Sequence, residues 1–414
     1  MKIPADEGEN IIRRFAGTIK FPTVSAPGEF SLSPFHDMRN YSMSVWGEVF
    51  SSLEMELHGG ASILLRWEGD TSLSLKPVML AAHQDVVPTG DNGDWSHDPF
   101  GGEVSGGRIW GRGTIDYKCG YAGMLEAVSV LLSRGFSPSR PVLFSFGHDE
   151  EVGGLAGAQA ITESLGARGI VCSSVLDEGG YIYSDPNGGV TAEIAIAEKG
   201  YASFRLVAEA VQCHSSVPPD KTAIGTLSRG IVALEEAVIS LPDVPSELSA
   251  SRWFNTTIAP TILSGGCKEN ILPGTAEVVI NTRPSPGSSV AEVFDFIRST
   301  VFPLGITVEL LDNASVSEPS SVSSVQTMDY RALKTSVLHN VDTGTGFRSG
   351  VFPAATDSRR YSKIAENTYR FLPVHLGNRG IGALHSVDES ISVQDYLRCV
   401  EFYVEYISRV SRKS

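Results

Sequence analysis

Apolar residues along this chain fall into two alternating patterns. Pro77–Ala82 is a short continuous apolar run with a histidine, His83, directly after it. Val142–Phe146 is a second such run and Val171–Leu176 a third, the latter closed by Asp177. Runs of this length bounded by polar and glycine residues predict buried strands. Between the first two, Met124, Leu125, Val128, Leu131 and Leu132 recur at helical spacing. That spacing predicts a helix over Tyr121–Leu132, stopped at Gly135. Strands alternating with helices predict an α/β domain, a mostly parallel sheet with helices on both faces. In such sheets sites form beyond the carboxyl ends of the strands. His83, the pair Glu150–Glu151 and Asp177 all fall at such ends.

The middle of the chain has another rhythm. Strands are predicted at Ser203–Glu209, Ala276–Arg283 and Ile306–Leu310. Helices are predicted at Ser289–Ser299 and Ala223–Leu241, the latter with Leu227, Ile231, Leu234, Val238 and Leu241 on one stripe. This α+β segment, residues 191–312, interrupts a first domain expected to comprise 1–190 and 313–414 and to end in a helix over Val393–Ser408.

Composition narrows the class. With 414 residues, 42% hydrophobic and 20% charged, the chain is long enough for two cores and carries no disorder signature. A formal net charge of −15 argues against nucleic acid and anionic membranes as partners. The 5 cysteines form no C-x-x-C pair, so a reducing, cytoplasmic compartment is expected. No apolar run is long enough to predict a membrane span.

The chemistry-bearing residues are scattered but similarly framed. His83 and Asp85 lie in H-Q-D, Asp116 in G-R-G-T-I-D, Glu150 and Glu151 in G-H-D-E-E, Asp177 in L-D-E-G-G, and His385 in L-H-S. Taken alone, H-x-D suits either a metal-bound imidazole with a carboxylate partner or a structural histidine beside a capping aspartate. A lone Asp116 suits a turn as well as a ligand. Three successive acids can be a solvated face, but here they follow the apolar V-L-F-S-F-G and precede V-G-G. His214 in isolation reads as a loop histidine rather than a catalyst, and Arg283, at a strand end, as a surface cation or a reader of carboxylates. Together, two imidazoles and several carboxylates suit a pair of divalent cations. No G-x-S-x-G, H-E-x-x-H, P-loop or G-x-G-x-x-G frame competes.

With these strings in order, joined by W-S-H-D-P-F-G-G, E-K-G-Y, H-S-S-V-P-P, T-D-S-R-R-Y, Y-R-F-L-P and I-S-V-Q-D-Y, the chain from about residue 77 onward resembles the co-catalytic zinc peptidase family. That family contains acetylornithine deacetylase, succinyl-diaminopimelate desuccinylase, aminoacylase and carboxypeptidase S. The strings are most similar to its carboxypeptidase S and N-acyl-amino-acid hydrolase branch.

The resemblance implies that His83 and Asp177 bind one metal, that Glu151 and His385 bind the other, and that Asp116 bridges them, with a cis peptide following it. It implies that Asp85 orients His83 and that Glu150 is the general base. It implies that His214 stabilises the oxyanion across a dimer interface, and that Asn270 and Arg283 hold the substrate. The insert would then be a lid and homodimerisation domain. Two zinc ions are implied, with cobalt or manganese as substitutes. The implied substrates are N-acyl amino acids or short peptides with a free carboxylate, carboxypeptidase action on Gly-X peptides and a non-catalytic binder being the alternatives. Tyr117, Cys213 and Ser386 depart from the family pattern, and residues 1–70 match little of it.

A metal-dependent amidohydrolase loses its activity on dialysis against a chelator and regains it on addition of zinc, cobalt or manganese. Full turnover after chelation would return the chain to the serine hydrolases.

Overall fold

The computed structural model describes residues 5–27, 29–70, 72–184, 188–237, 239, 248, 251, 253–311 and 316–412. The chain divides into two compact units, one of residues 1–196, 323–349 and 356–414, the other of 197–322 and 350–355. The expected boundary at 312/313 lies outside the described residues.

The first unit opens with helix α1 (Ala5–Ile19), whose Ile11, Phe15 and Ile19 are buried at helical spacing. Strands β1 (Glu54–His58), β2 (Ser62–Trp67) and β3 (Val78–His83) follow. Next come helix α2 (Lys118–Ser133), strand β4 (Val142–Gly147) and helix α3 (Ala158–Ala167). Strands β5 (Ser174–Asp177), β6 (Ile182–Ser184) and β7 (Val190–Glu198) complete the first stretch.

In the second unit, β8 (Ala202–Glu209) and the short β9 (Cys213–His214) precede helix α4 (Ala223–Glu236). Then come β10 (Thr257–Gly265), β11 (Ile271–Leu272), β12 (Thr275–Arg283), α5 (Val290–Val301) and β13 (Ile306–Leu310). The chain closes with β14 (Gly346–Phe352), α6 (Ser358–Tyr361), β15 (Thr368–Arg370) and α7 (Val393–Val410).

One nine-stranded sheet organises the first unit in the order β6-β7-β15-β5-β3-β4-β2-β1, with β14 beside β7. Its centre, β15-β5-β3-β4, is parallel, and the flanking strands are antiparallel. The all-apolar runs seen in the sequence are these central strands, covered on both faces. On one face Met79, Ala81, Leu143 and Val175 pack against Ile161 and Leu165 of α3 and Tyr361 of α6. On the other, the Tyr121 ring of α2 meets Phe146 at 4.7 Å. The α/β class expected from the sequence is the class observed.

Boundaries moved where capping and pairing decided them. The helix expected from Tyr121 begins at Lys118, immediately beyond the cis peptide Asp116–Tyr117. The strand expected from Val171 pairs in the sheet only from Ser174, and Val171 is exposed. Helix α4 ends at Glu236; the expected continuation through Val238 and Leu241 lies outside the described residues. Helix α5 starts where Ser289 and Glu292 form a reciprocal capping box.

The second unit carries a four-stranded antiparallel sheet, β10-β12-β8-β13. Its inner face (Phe204, Leu206, Val278, Ile280) packs on Leu227 and Leu234 of α4 and Val293 and Ile297 of α5. Strand β10 was not expected from the sequence. It contains Pro260, where its register against β12 shifts, and proline is tolerated at such an edge because no ladder bond is lost on the open side.

Candidate metal centre

Parallel pairing in register brings the strand ends together: His83, the last residue of β3, pairs with Gly147, the last of β4. Three residues beyond Gly147, a short turn over Glu150–Val152 carries both glutamates. Asp177 closes β5 on the other side of β3. Asp116 and His385 reach the same place on loops.

His83 and His385 approach Asp116 from opposite sides. His83 Nε2 lies 3.0 Å from Asp116 Oδ1, and His385 Nε2 lies 2.9 Å from Asp116 Oδ2. Glu178 Oε1 stands 3.4 Å from His83 Nε2, and Glu151 Oε2 stands 3.4 Å from His385 Nε2. The result is two triads that share Asp116. In each of them, His83–Asp116–Glu178 and Asp116–Glu151–His385, the donor atoms lie within 4.8 Å of one another.

Glu178 occupies the place expected of Asp177. The Asp177 carboxylate turns away: Oδ1 accepts the Glu178 amide at 2.9 Å and Oδ2 the Ser358 hydroxyl at 2.9 Å. The sequence signal was present but ambiguous, because two acids follow one another at the strand end and only side-chain direction separates them. Asp85 also serves differently from the expectation. Its backbone carbonyl, rather than its carboxylate, is the nearer partner of His83 Nδ1, at 2.9 Å against 3.4 Å. The carboxylate instead accepts the amides of Glu150 (3.2 Å) and Glu151 (3.1 Å) and the hydroxyl of Ser25 (2.5 Å). Asp85 therefore shapes the glutamate turn and, through its carbonyl, accepts the proton of His83 Nδ1.

This arrangement is short of positive charge. Burial opposes a charge on His83, but the Glu178 charge and hydrogen bonds to Asp116, Asp85 and Glu178 outweigh it and favour the protonated ring; hydrogen bonds to Asp116 and Glu151 likewise push His385 up to about 10. Burial and the nearby Asp116 charge push Glu178 up to about 8 and Glu151 up to about 7. Burial above all, with the charges of Asp357, Glu178 and Glu151, drives Glu150 well above the usual carboxylate range. Burial also opposes ionisation of Asp116, but hydrogen bonds from His385 and His83 outweigh it and hold Asp116 low. Glu151 Oε1 is buried without a hydrogen-bond partner. An orphaned carboxylate oxygen beside crowded acids and two imidazoles is a donor set that divalent cations satisfy.

Two loops hold Asp116 and His385, and one buried ion pair ties them. Arg112 Nη1 donates to Glu389 Oε2 at 2.8 Å, with 2% and 0% of the two side chains exposed. Arg112 also donates to the carbonyls of His385 and Ser386, each at 3.2 Å. Glu389 in turn accepts the amides of Gly113 (3.1 Å), Ile115 (2.8 Å) and Asp116 (3.2 Å). His385 itself has a positive φ of 60°, a conformation that a side chain with a Cβ adopts only when its surroundings impose it. Neither Arg112 nor Glu389 was singled out in the sequence, since nothing local distinguishes them from surface charges. Tyr117, where an acid is common in the resembled family, bonds through its hydroxyl to that of Tyr403 of α7 at 2.9 Å.

The remaining expected residues lie in the second unit. Cys213 and His214 (β9) pair with Leu272 and Ile271 (β11), and the Ser215 amide donates to the Asn270 carbonyl at 3.1 Å, so His214 and Asn270 are neighbours. His214 Nδ1 accepts the Ser216 amide at 3.2 Å, which leaves the ring proton on an exposed Nε2. Asn270 Oδ1 is buried without a partner. Arg283 ends β12 with its guanidinium 4.7 Å from the Tyr201 ring centre and, among the described residues, no carboxylate partner.

The sequence model of peptidase family M20/M25/M40 matches residues 79–409. The N-fatty-acyl-amino acid synthase/hydrolase PM20D1 of Xenopus tropicalis is 31% identical across 97% of this chain and 86% of that protein. A carboxypeptidase S-like protein of Dictyostelium discoideum is 30% identical across 97% of this chain and 85% of that protein. Among solved structures, the M20 metallo-carboxypeptidase Sso-CP2 of Sulfolobus solfataricus superposes with a TM-score of 0.70 at 18% identity, covering 97% of this chain and 99% of that one. The dinuclear metal-binding peptidase YXEP of Bacillus subtilis does so at 0.64 and 14%, covering 99% of each chain.

Removing one member of the Arg112–Glu389 pair strands a buried charge. Glu389→Ala is expected to cost about 3–5 kcal/mol in chemical denaturation. A loss below about 1 kcal/mol would mean that the pair does not hold the two loops.

Proposed function

Because the chain belongs to peptidase family M20/M25/M40 and is a metal-dependent hydrolase, we propose that it cleaves the amide bond of N-acyl amino acids or short peptides bearing a free carboxylate. In this reading His83, Asp116 and Glu178 would hold one divalent cation, and Asp116, Glu151 and His385 a second. Zinc suits this mixed imidazole and carboxylate set best, with cobalt or manganese as substitutes. When bound, such cations supply Lewis-acid polarisation of the carbonyl and acidify a water toward neutrality.

The observation that carries the reading is Glu150, a partly buried carboxylate beside the two triads whose surroundings favour its protonated form. A group with that bias accepts a proton from the attacking water and returns it to the leaving nitrogen. Asp85 holds the Glu150 turn by its amides, so the base enters the reaction already oriented. In the second unit, Arg283 without a carboxylate of its own suits a substrate carboxylate. Asn270, with an unpaired oxygen, suits an adjacent amide N–H. His214 has a free Nε2–H, the donor an oxyanion needs. Similarity to an N-fatty-acyl-amino acid synthase/hydrolase supports acyl amino acids, and similarity to a carboxypeptidase S-like protein supports short peptides.

A homodimer through the second unit accompanies this reading. Strand β10 is an open edge of its sheet, and Ile262 and Leu263 on it are 64% and 69% exposed. Such an edge invites pairing with a second copy.

Two measurements test these proposals. Glu150→Ala should fold and bind metal yet lose about 10²–10⁴-fold in kcat, across a panel of N-acetyl, N-lauroyl and Gly-X substrates that also ranks the acyl groups. Retention of more than about a tenth of the activity would remove Glu150 from the role of base. Light scattering should give a dimer mass for the wild type and a monomer mass for Leu263→Lys. A monomeric wild type ends the dimer proposal.

A further inference from the structure

Two acids follow one another at the end of β5, and the structure sends them in opposite directions. Glu178 faces His83 and Asp116, whereas Asp177 faces the protein interior. Both Asp177 oxygens are engaged, Oδ1 by the Glu178 amide and Oδ2 by the hydroxyl of Ser358. The amide bond is local and follows the chain wherever it goes. The Ser358 bond spans 181 residues of sequence and ties that carboxylate to α6.

Ser358 is itself well held. It is fully buried at the start of α6, and its amide donates to Thr356 Oγ1 at 3.2 Å. The other end of α6 is tied to the central sheet, Tyr361 OH lying 2.8 Å from Ser145 Oγ of β4. Between them, Arg360 Nη2 donates to the Gly153 carbonyl at 2.8 Å, at the close of the Glu150–Val152 turn. One four-residue helix therefore touches both the acid pair of β5 and the glutamate turn after β4.

We infer that Ser358 is a positioning residue: by engaging Asp177 it decides that Glu178, one methylene longer, is the acid presented to the cation on the His83 side. This rests on the two-cation reading of the site. Without the hydroxyl, Asp177 Oδ2 becomes a buried acceptor with no donor, a costly state that rotation toward a cation relieves. Asp177 then competes with Glu178 from a position too short to keep the same geometry. Partners that orient a metal ligand in this indirect way change affinity by about 10–100-fold.

The test uses metal-free full-length protein and cobalt(II), read by calorimetry and by the visible absorption of the bound ion, with no substrate present. Wild type should take up two cobalt ions. In Ser358→Ala one of the two should bind about 10–100-fold more weakly, with an altered visible band. Ser358→Thr, which restores a hydroxyl, should recover both properties, and Glu178→Gln should abolish the affected site outright. If Ser358→Ala does not fold by circular dichroism, Asp177→Asn carries the same test, and it should resemble the serine variant more than Glu178→Gln. Two unchanged cobalt affinities in the folded variant overturn the role of Ser358 and leave the two-cation reading standing. Uptake of fewer than two ions by the wild type overturns that reading and the inference with it.

Discussion

An excess of buried negative charge is the constraint around which the first unit is arranged. Asp116, Glu150, Glu151 and Glu178 crowd one recess, where the His83 and His385 imidazoles oppose them. Taking a carboxylate out of water costs several kcal/mol unless something cationic compensates it. Without a cation the recess can be neutralised only by protons, which is the direction in which burial pushes three of the four acids. In the proposed reading, divalent cations would take the place of those protons on Asp116, Glu151 and Glu178 and would leave Glu150 to exchange a proton.

Keeping such groups in place requires a scaffold that does not relax. Parallel pairing in register supplies part of it, because His83 and the glutamate turn leave adjacent strands at the same edge. The loops bearing Asp116 and His385 lie off the large sheet; antiparallel pairing of Arg108–Trp110 with Ser390–Ser392 sets them side by side, and a second buried device ties them. Arg112 holds the carbonyls of one loop and Glu389 the amides of the other, each neutralising its partner. Replacing either by an apolar residue would leave both a charge and a row of backbone groups unpaired.

The N-terminal segment, opaque as sequence, supports the same recess from outside. The hydroxyl of Ser25 reaches the Asp85 carboxylate, and that of Thr23 reaches the Gln84 carbonyl at 2.7 Å. Lys118, two residues beyond Asp116, donates to the carbonyls of Thr18 (3.3 Å), in the last turn of α1, and Phe21 (2.7 Å), just past its end. These polar contacts join residues 60 to 100 positions apart, and no local pattern announces them.

The sequence by itself determined the α/β class and singled out His83, Asp116, Glu151 and His385, side chains that the structure brings together. Apolar runs of strand length and helical stripes are local consequences of burial, and the acids and histidines sit in frames that burial makes conspicuous. Tertiary structure alone decided three things. Pairing register brought distant strand ends together. Side-chain direction at β5 gave the recess to Glu178 and turned Asp177 toward Ser358. Long-range compensation made Arg112 and Glu389 into the tie between two loops. Each depends on which groups meet across the fold, and periodicity along a chain encodes which face a residue takes but not whom it meets there.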